Sequence, residues 1–407
     1  MRILPSKSSR IEPLNRGRDA LPRVQADRQV GPTTFMEKVP EGRVRGQPLT
    51  PGIASLTQRK LGRLRPWAWG PDSLELLQPV FANVSGDDRI ASQCFNEAIA
   101  QLYSKAWSAA FLRKILPNLG RDDESWLCTG DEVGVAVATL QDALEAIAAI
   151  RARGHHKVVV KEALGLAGRN AIRLWEPELL GAHRRWMARA LEHGHQLVIE
   201  PWLEREADFS VQAEMTARGL RLCGYTGLFN DRRGQYQANF AAPSHGRKIP
   251  APVTTLFHQP AGIAQRIHRL YANVLSLLES DLTRAGYLGP FGIDAFVYRT
   301  AQGACRLKPV VEINPRYTMG RLTLELMRRT TPGSHGMLRL VNRARLHAES
   351  LTDFPGYAKH LEKHFPLQLE GEPIPRISEG ALCLNDPARA QVCLAVFKVS
   401  RAPVEGQ

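Results

Sequence analysis

Lys161 closes the apolar run KVVVK (157–161) and is followed at once by EALGLAGRN. Glycines at 165 and 168 let backbone N–H groups approach anionic oxygens, and an ammonium beside them supplies a point charge, which is what phosphate binding needs. The plain alternative is a hairpin that ends in a solvated lysine. Neither GxxxxGK[ST] nor GxGxxG occurs. Glu200-Pro201-Trp202-Leu203 follows the run QLVI. A segment leaving a sheet edge exposes backbone donors and acceptors that can read the edge of an adenine, with apolar neighbours on its faces. Asp208, eight residues on, can accept from ribose hydroxyls; a linker between domains is the competing reading.

Asp294 lies in the otherwise apolar stretch Gly-Ile-Asp-Ala-Phe. A buried carboxylate must be paired or must bind a cation. Glu312 and Asn314 are two residues apart in Val-Val-Glu-Ile-Asn-Pro-Arg, so a strand shows both on one face. Two carboxylates and an amide oxygen suit Mg²⁺, a hard ion that takes oxygen ligands and substrate phosphates. Arg316 can steady a developing negative charge, or pair with Glu312 as a simple salt bridge. Arg232 and Arg233, in NDRRGQY, offer guanidinium forks for a substrate carboxylate, or form a hairpin turn. His155-His156, His193 and His195 read as loop histidines. Ser244-His245 and Ser334-His335 have no partner acid in context, and adjacency in the chain builds no relay.

The elements that hold these residues alternate in type. Strands are expected at 157–161, 171–175 and 196–200, with helices at 138–153 and 177–193. From 208 the pattern becomes antiparallel: strands at 208–216, 220–230, 236–241, 292–298 and 305–313, with helices at 261–285 and 320–329. Helical spacing runs through 90–116, and strands close the chain at 380–384 and 391–398. The class is α+β, with helices covering mainly antiparallel sheets.

The chain has 407 residues and a formal net charge of +14. Residues 1–66 hold 14 Lys/Arg against 5 Asp/Glu, and eight prolines. They read as a basic, poorly ordered arm; either it solubilises the chain or it contacts nucleic acid, although no nucleic-acid module pattern accompanies it. No 18-residue apolar span is present, so no membrane segment is expected. The start lacks a secretory h-region, and six dispersed cysteines without CxxC fit a reducing compartment, so a cytoplasmic location is expected.

The order of these motifs resembles the ATP-grasp superfamily, whose familiar members are D-alanine–D-alanine ligase and biotin carboxylase. The resemblance covers roughly residues 95–345 and rests on five loose motifs in register. It implies a nucleotide held between two α+β subdomains. Lys161 and the loop at Gly165 and Gly168 would meet the phosphates, with Lys105 as the earlier lysine and Lys114 its alternative. Glu200 and the backbone near Leu203 would take adenine, and Asp208 the ribose. Asp294, Glu312 and Asn314 would hold Mg²⁺, and Arg316 would be catalytic. The resemblance also implies subdomains at 67–125 (an N-terminal remnant), 126–206 (the nucleotide lid), 207–345 (the metal strands) and 346–407. The implied reaction uses ATP to activate a small carboxylate as an acyl phosphate, which an amine then takes. A phosphotransferase and a carboxylase are the alternatives. Two features depart from familiar members: Pro-Arg-Tyr-Thr-Met-Gly follows Asn314 where D-alanine ligases carry small residues and glycine, and the Gln-Val-Glu-His of carboxylases is missing.

Overall fold

The computed structural model describes residues 51–85, 91–119, 126–165, 170–175, 179–230, 236–243, 248–257 and 262–402. Gly168, Arg232, Arg233 and most of the basic arm lie outside them.

Two antiparallel sheets carry the described residues. The smaller has four strands in the order β1-β4-β2-β3: β1 (Val135–Val137), β2 (Lys157–Glu162), β3 (Ala171–Trp175) and β4 (Leu197–Pro201). Alternation along β2 decides its two faces. Val158 and Val160 are fully buried against Leu174, Leu197 and Ile199, under helices α2 (Leu140–Ala152) and α3 (Gly181–Leu191). Lys157, Val159 and Lys161 take the opposite face, together with Arg173 of β3 and Glu200 of β4, their register partners.

The larger sheet has nine strands among the described residues, in the order β11 (Gln368–Glu370), β12 (Arg376–Cys383), β13 (Cys393–Ser400), β10 (His335–Asn342), β7 (Tyr236–Ala241), β6 (Gly219–Asn230), β5 (Glu204–Thr216), β8 (Gly289–Arg299) and β9 (Cys305–Asn314). Its centre is built from β5, β6, β7, β8 and β9. One face, with Phe209, Val211, Tyr225, Phe291 and Ile293, packs against α4 (Ile263–Ala285), whose Ile267, Leu270, Tyr271, Val274, Leu278 and Leu282 are buried at helical spacing. The other face carries Ser210, Gln212, Thr226, Asp294 and Glu312. Helix α5 (Met319–Met327) lies across part of it. Gly320 permits this close approach, because a Cβ there would stand 2.5 Å from Gln212 Nε2 and 2.6 Å from Thr226 Oγ1. The class expected from sequence, helices over antiparallel sheets, is the class observed.

Three features go beyond what the sequence pattern gives. The helical spacing over 90–116 is not one helix. Asn96 accepts from Ile99 N (3.0 Å) and Ser104 from Ala106 N (3.2 Å), so each ends one short helix and starts the next, the last being α1 (Lys105–Ile115). The second is at the C-terminus, where the sheet runs on past residue 345: β10 (His335–Asn342) pairs with β13 (Cys393–Ser400), β13 with β12 (Arg376–Cys383), and β12 with the short β11 (Gln368–Glu370). The third is a register shift between β8 and β9. Asp294 faces Glu312 but Phe296 faces Lys308, so β9 carries extra residues there, Pro309 among them. Pro is tolerated because β9 is an edge strand and the ladder is already broken at the irregularity.

Candidate functional site

Strand β9 is where the two sheets meet. Its residues Lys308, Glu312 and Asn314 lie on one side of the strand, because their β8 partners Phe296, Asp294 and Gly292 alternate in step across the irregularity. Glu312 touches Lys105 (Nζ to Oε1, 3.3 Å), the first residue of α1. The same Lys105 Nζ donates to the carbonyl of Gly165 at 2.6 Å. The start of the glycine loop and the acidic strand are thus joined through one ammonium. The backbone supports the placement, since Lys105 N donates to Ala163 O at 2.7 Å and Ile313 N donates to Ser108 Oγ at 3.0 Å. Lys114, the alternative lysine, is elsewhere: its side chain is exposed and pairs with Asp281 of α4 at 3.1 Å.

On the small sheet, Lys161 pairs with Glu200 Oε1, and Lys308 reaches across from β9 to Glu200 Oε2 at 2.9 Å. Lys308 also donates to the Glu132 carbonyl at 2.9 Å. Both ammoniums outweigh the cost of burying the carboxylate and hold Glu200 far below the usual carboxylate range. Burial acts the other way on Lys161 and lowers its pKa, with Arg205 and Lys308 adding repulsion against the attraction of Glu200. The Glu200 side chain is therefore already engaged on both oxygens. Leu203 is buried in the main core. Asp208 accepts from Arg205 Nη1 and from Asn230 Nδ2, each at 3.0 Å, and stands on the same sheet face as Asp294.

At the acidic end, Asp294 and Glu312 are cross-strand partners. Burial raises the Asp294 pKa to about 6, with Glu312 adding to it. Asn314 turns its amide nitrogen to Asp294 Oδ2 (3.0 Å) and its oxygen to Arg316 Nη2 (2.8 Å). Arg316 also donates to Tyr317 O at 3.1 Å. Glu312 thus has Lys105 as its ion partner, and Arg316 is held by the Asn314 amide. Among the described residues no three Asp, Glu, His or Cys side chains gather in a metal-holding group. The donor set is instead two facing carboxylates, one of them pushed toward its neutral form, and an amide. Two carboxylates that repel each other fit a divalent cation, beside an Asn314 amide whose oxygen accepts from Arg316.

Lys308 belongs to none of the sequence motifs; its even spacing from Glu312 and Asn314 is the one sequence signal that points to it. The polar floor beside Asp294 lies outside the motifs as well: there Gln212 donates to Ser210 Oγ (2.8 Å) and accepts from Thr318 Oγ1 (2.5 Å). Trp67 borders the site as well: its carbonyl accepts from Tyr317 N at 2.8 Å, and the two rings lie 6.3 Å apart.

No protein-family model and no curated protein matches the sequence. Among solved structures, the chain is similar to N5-carboxyaminoimidazole synthetase from Staphylococcus aureus complexed with ADP, at 10% identity and a TM-score of 0.42, covering 75% of this chain and 69% of that one. It is also similar to the biotin carboxylase domain of the Hydrogenobacter thermophilus 2-oxoglutarate carboxylase (13% identity, TM-score 0.43, 75% and 63% covered). A third is Rhizobium etli pyruvate carboxylase (15% identity, TM-score 0.48), of which this chain spans 29%. No helix among the described residues is long and apolar enough to cross a membrane.

Proposed function

We propose that this chain is an ATP-dependent carboxylate–amine ligase of the ATP-grasp type. The observation that carries the reading is Lys105, whose ammonium spans the Gly165 carbonyl and Glu312. Through it the phosphate-type loop and the acidic strands, separate in sequence, become one site. Lys105 donates to Gly165, where the glycine loop begins, and Lys161 lies one residue from the end of the strand that leads into it. Their work is to position and neutralise the nucleotide phosphates, which is most of what phosphoryl transfer asks of a protein. Asp294 and Glu312, with Asn314, would hold Mg²⁺, which when bound offsets charge on the phosphate oxygens. Arg316, fixed by Asn314 and the Tyr317 carbonyl, keeps its planar fork beside those groups for a carboxylate or a transferred phosphoryl.

In this reading a substrate carboxylate attacks the γ-phosphorus and ADP leaves. An amine then displaces phosphate from the acyl phosphate and forms an amide. No nucleophilic side chain is required, so the site's lysines and arginine serve by charge and position. Arg232 and Arg233 remain candidates for the substrate carboxylate. The test is to supply pooled carboxylates with Mg-ATP and hydroxylamine. ADP together with a hydroxamate is the expected result, and AMP with pyrophosphate sinks the phosphoryl-transfer reading.

A further inference from the structure

Glu200 is one buried anion between two buried cations. Its side chain is 9% exposed, that of Lys308 3% and that of Lys161 18%. Such a triad holds one positive charge more than it balances, and an interior carries uncompensated charge at a cost. The two lysines are not equivalent. Lys308 is fixed by a second acceptor, the Glu132 carbonyl, on a strand clamped between α1 and β8. Lys161 lies one residue from the end of β2, beside the glycine loop, and is the more exposed. Lys161 is therefore the cation that can leave for an incoming anion. Had it been the sole partner of Glu200, its departure would strand a buried carboxylate, an expensive state. With Lys308 in place, Glu200 stays neutralised throughout.

We infer that Lys308 is a positioning residue of the nucleotide site, which keeps Glu200 compensated while Lys161 exchanges Glu200 for a phosphate oxygen. The inference rests on the proposed function only in that Lys161 meets a nucleotide phosphate. It assigns Glu200 the task of parking Lys161 rather than reading a base.

The test is calorimetric titration of the full chain with Mg-ADP and, separately, with adenosine. Lys308→Gln keeps a donor for the Glu132 carbonyl and removes the charge. It should weaken Mg-ADP by about 10-fold or more, since a buried ion pair must now be broken, and leave adenosine unchanged because adenosine draws no lysine away. In a Glu200→Gln background, where no carboxylate can be stranded, Lys308→Gln should cause no further loss. Unchanged Mg-ADP affinity, an equal loss for adenosine, or the same loss in the Glu200→Gln background each overturns the inference. If Lys308→Gln does not fold, Glu200→Gln alone decides: it should bind Mg-ADP at least as tightly as wild type, and weaker binding overturns the parking role. Wild-type protein that binds neither ligand refutes the proposed function itself, and the inference falls with it. That outcome is distinct from tight wild-type binding that Lys308 does not influence.

Discussion

Glu200 and Asp294 are both half-hidden or buried carboxylates at the same site, yet their surroundings push them in opposite directions. Glu200, on the small sheet, has an ammonium on each oxygen and is held far below the ordinary carboxylate range. Asp294, on the large sheet, faces Glu312 and an amide nitrogen, and its pKa rises to about 6. The first is electrostatically complete within the protein. The second is stabilised by a proton, or by a cation that takes the proton's place. A buried acid can thus be part of the frame or part of the chemistry, and its partners decide which.

That contrast can be broken most forcefully at Glu200. Glu200→Leu leaves Lys161 and Lys308 facing each other without their counter-charge. It should lose about 3–5 kcal/mol of folding stability, the usual cost of breaking a buried pair. Urea unfolding reads this as a lower midpoint at an unchanged slope. A midpoint equal to that of wild type would show that the triad contributes nothing to the frame.

Glu312→Gln should behave in the opposite way. It removes the repulsion on Asp294 but also the Lys105 pair, and these changes largely offset, so the melting temperature without Mg²⁺ should hold. ATP turnover should fall by roughly 10²–10³-fold, the scale of losing one electrostatic contact to a transition state. A large stability loss with turnover intact would make Glu312 a structural partner of Lys105 and nothing more.

The pH dependence sharpens the same contrast. The pKa of Glu200 is depressed in the fold, so its contribution is present above pH ~4.5 and fades only as pH falls below that. Asp294 is raised, so the folded protein binds its proton more tightly than the unfolded chain does. Its contribution is full below pH ~4 and is lost as pH climbs to about 6. In metal-free protein, Asp294→Asn should flatten the stability profile between those limits by roughly 1–3 kcal/mol, discounted for its partial exposure. An unchanged profile would place the Asp294 pKa near its ordinary value.

The smallest effect concerns the two lysines of α1. Lys114→Ala should cost less than about 0.5 kcal/mol, because its pair with Asp281 is solvated. It should leave Mg-ATP affinity alone, whereas Lys105→Ala should weaken it. Equal effects would remove the distinction that the fold draws between them.

Much of this was legible in the chain. The apolar run KVVVK marked a buried strand with Lys161 at its end, and the parity of Glu312 and Asn314 gave a shared side of β9. Helix spacing placed α4 within two residues of its start. What stayed hidden was non-local. Nothing near Glu200 in sequence announces Lys308, 108 residues away, because the contact exists only where two sheets converge. The break in the helix over 90–116 was hidden for another reason: apolar periodicity survives across the caps at Asn96 and Ser104, so the pattern continues where the backbone does not. The extension of the large sheet by β12 and β13 follows from tertiary pairing that short-range patterning does not encode.

That extension also guards the molecule against its own copies. Strand β10 is paired along its whole length, eight residues against β13. Shortening the chain to residue 345 would strip that partner and uncover a long row of amides and carbonyls, next to Leu338 and Val341, which are now fully buried. Such a row is a template for intermolecular strand addition. In the intact chain the outermost strand is instead β11, three exposed residues with Glu370 paired to Arg401. An edge that brief and charged gives a neighbouring chain little to join, so the C-terminal strands serve colloidal stability as well as the sheet.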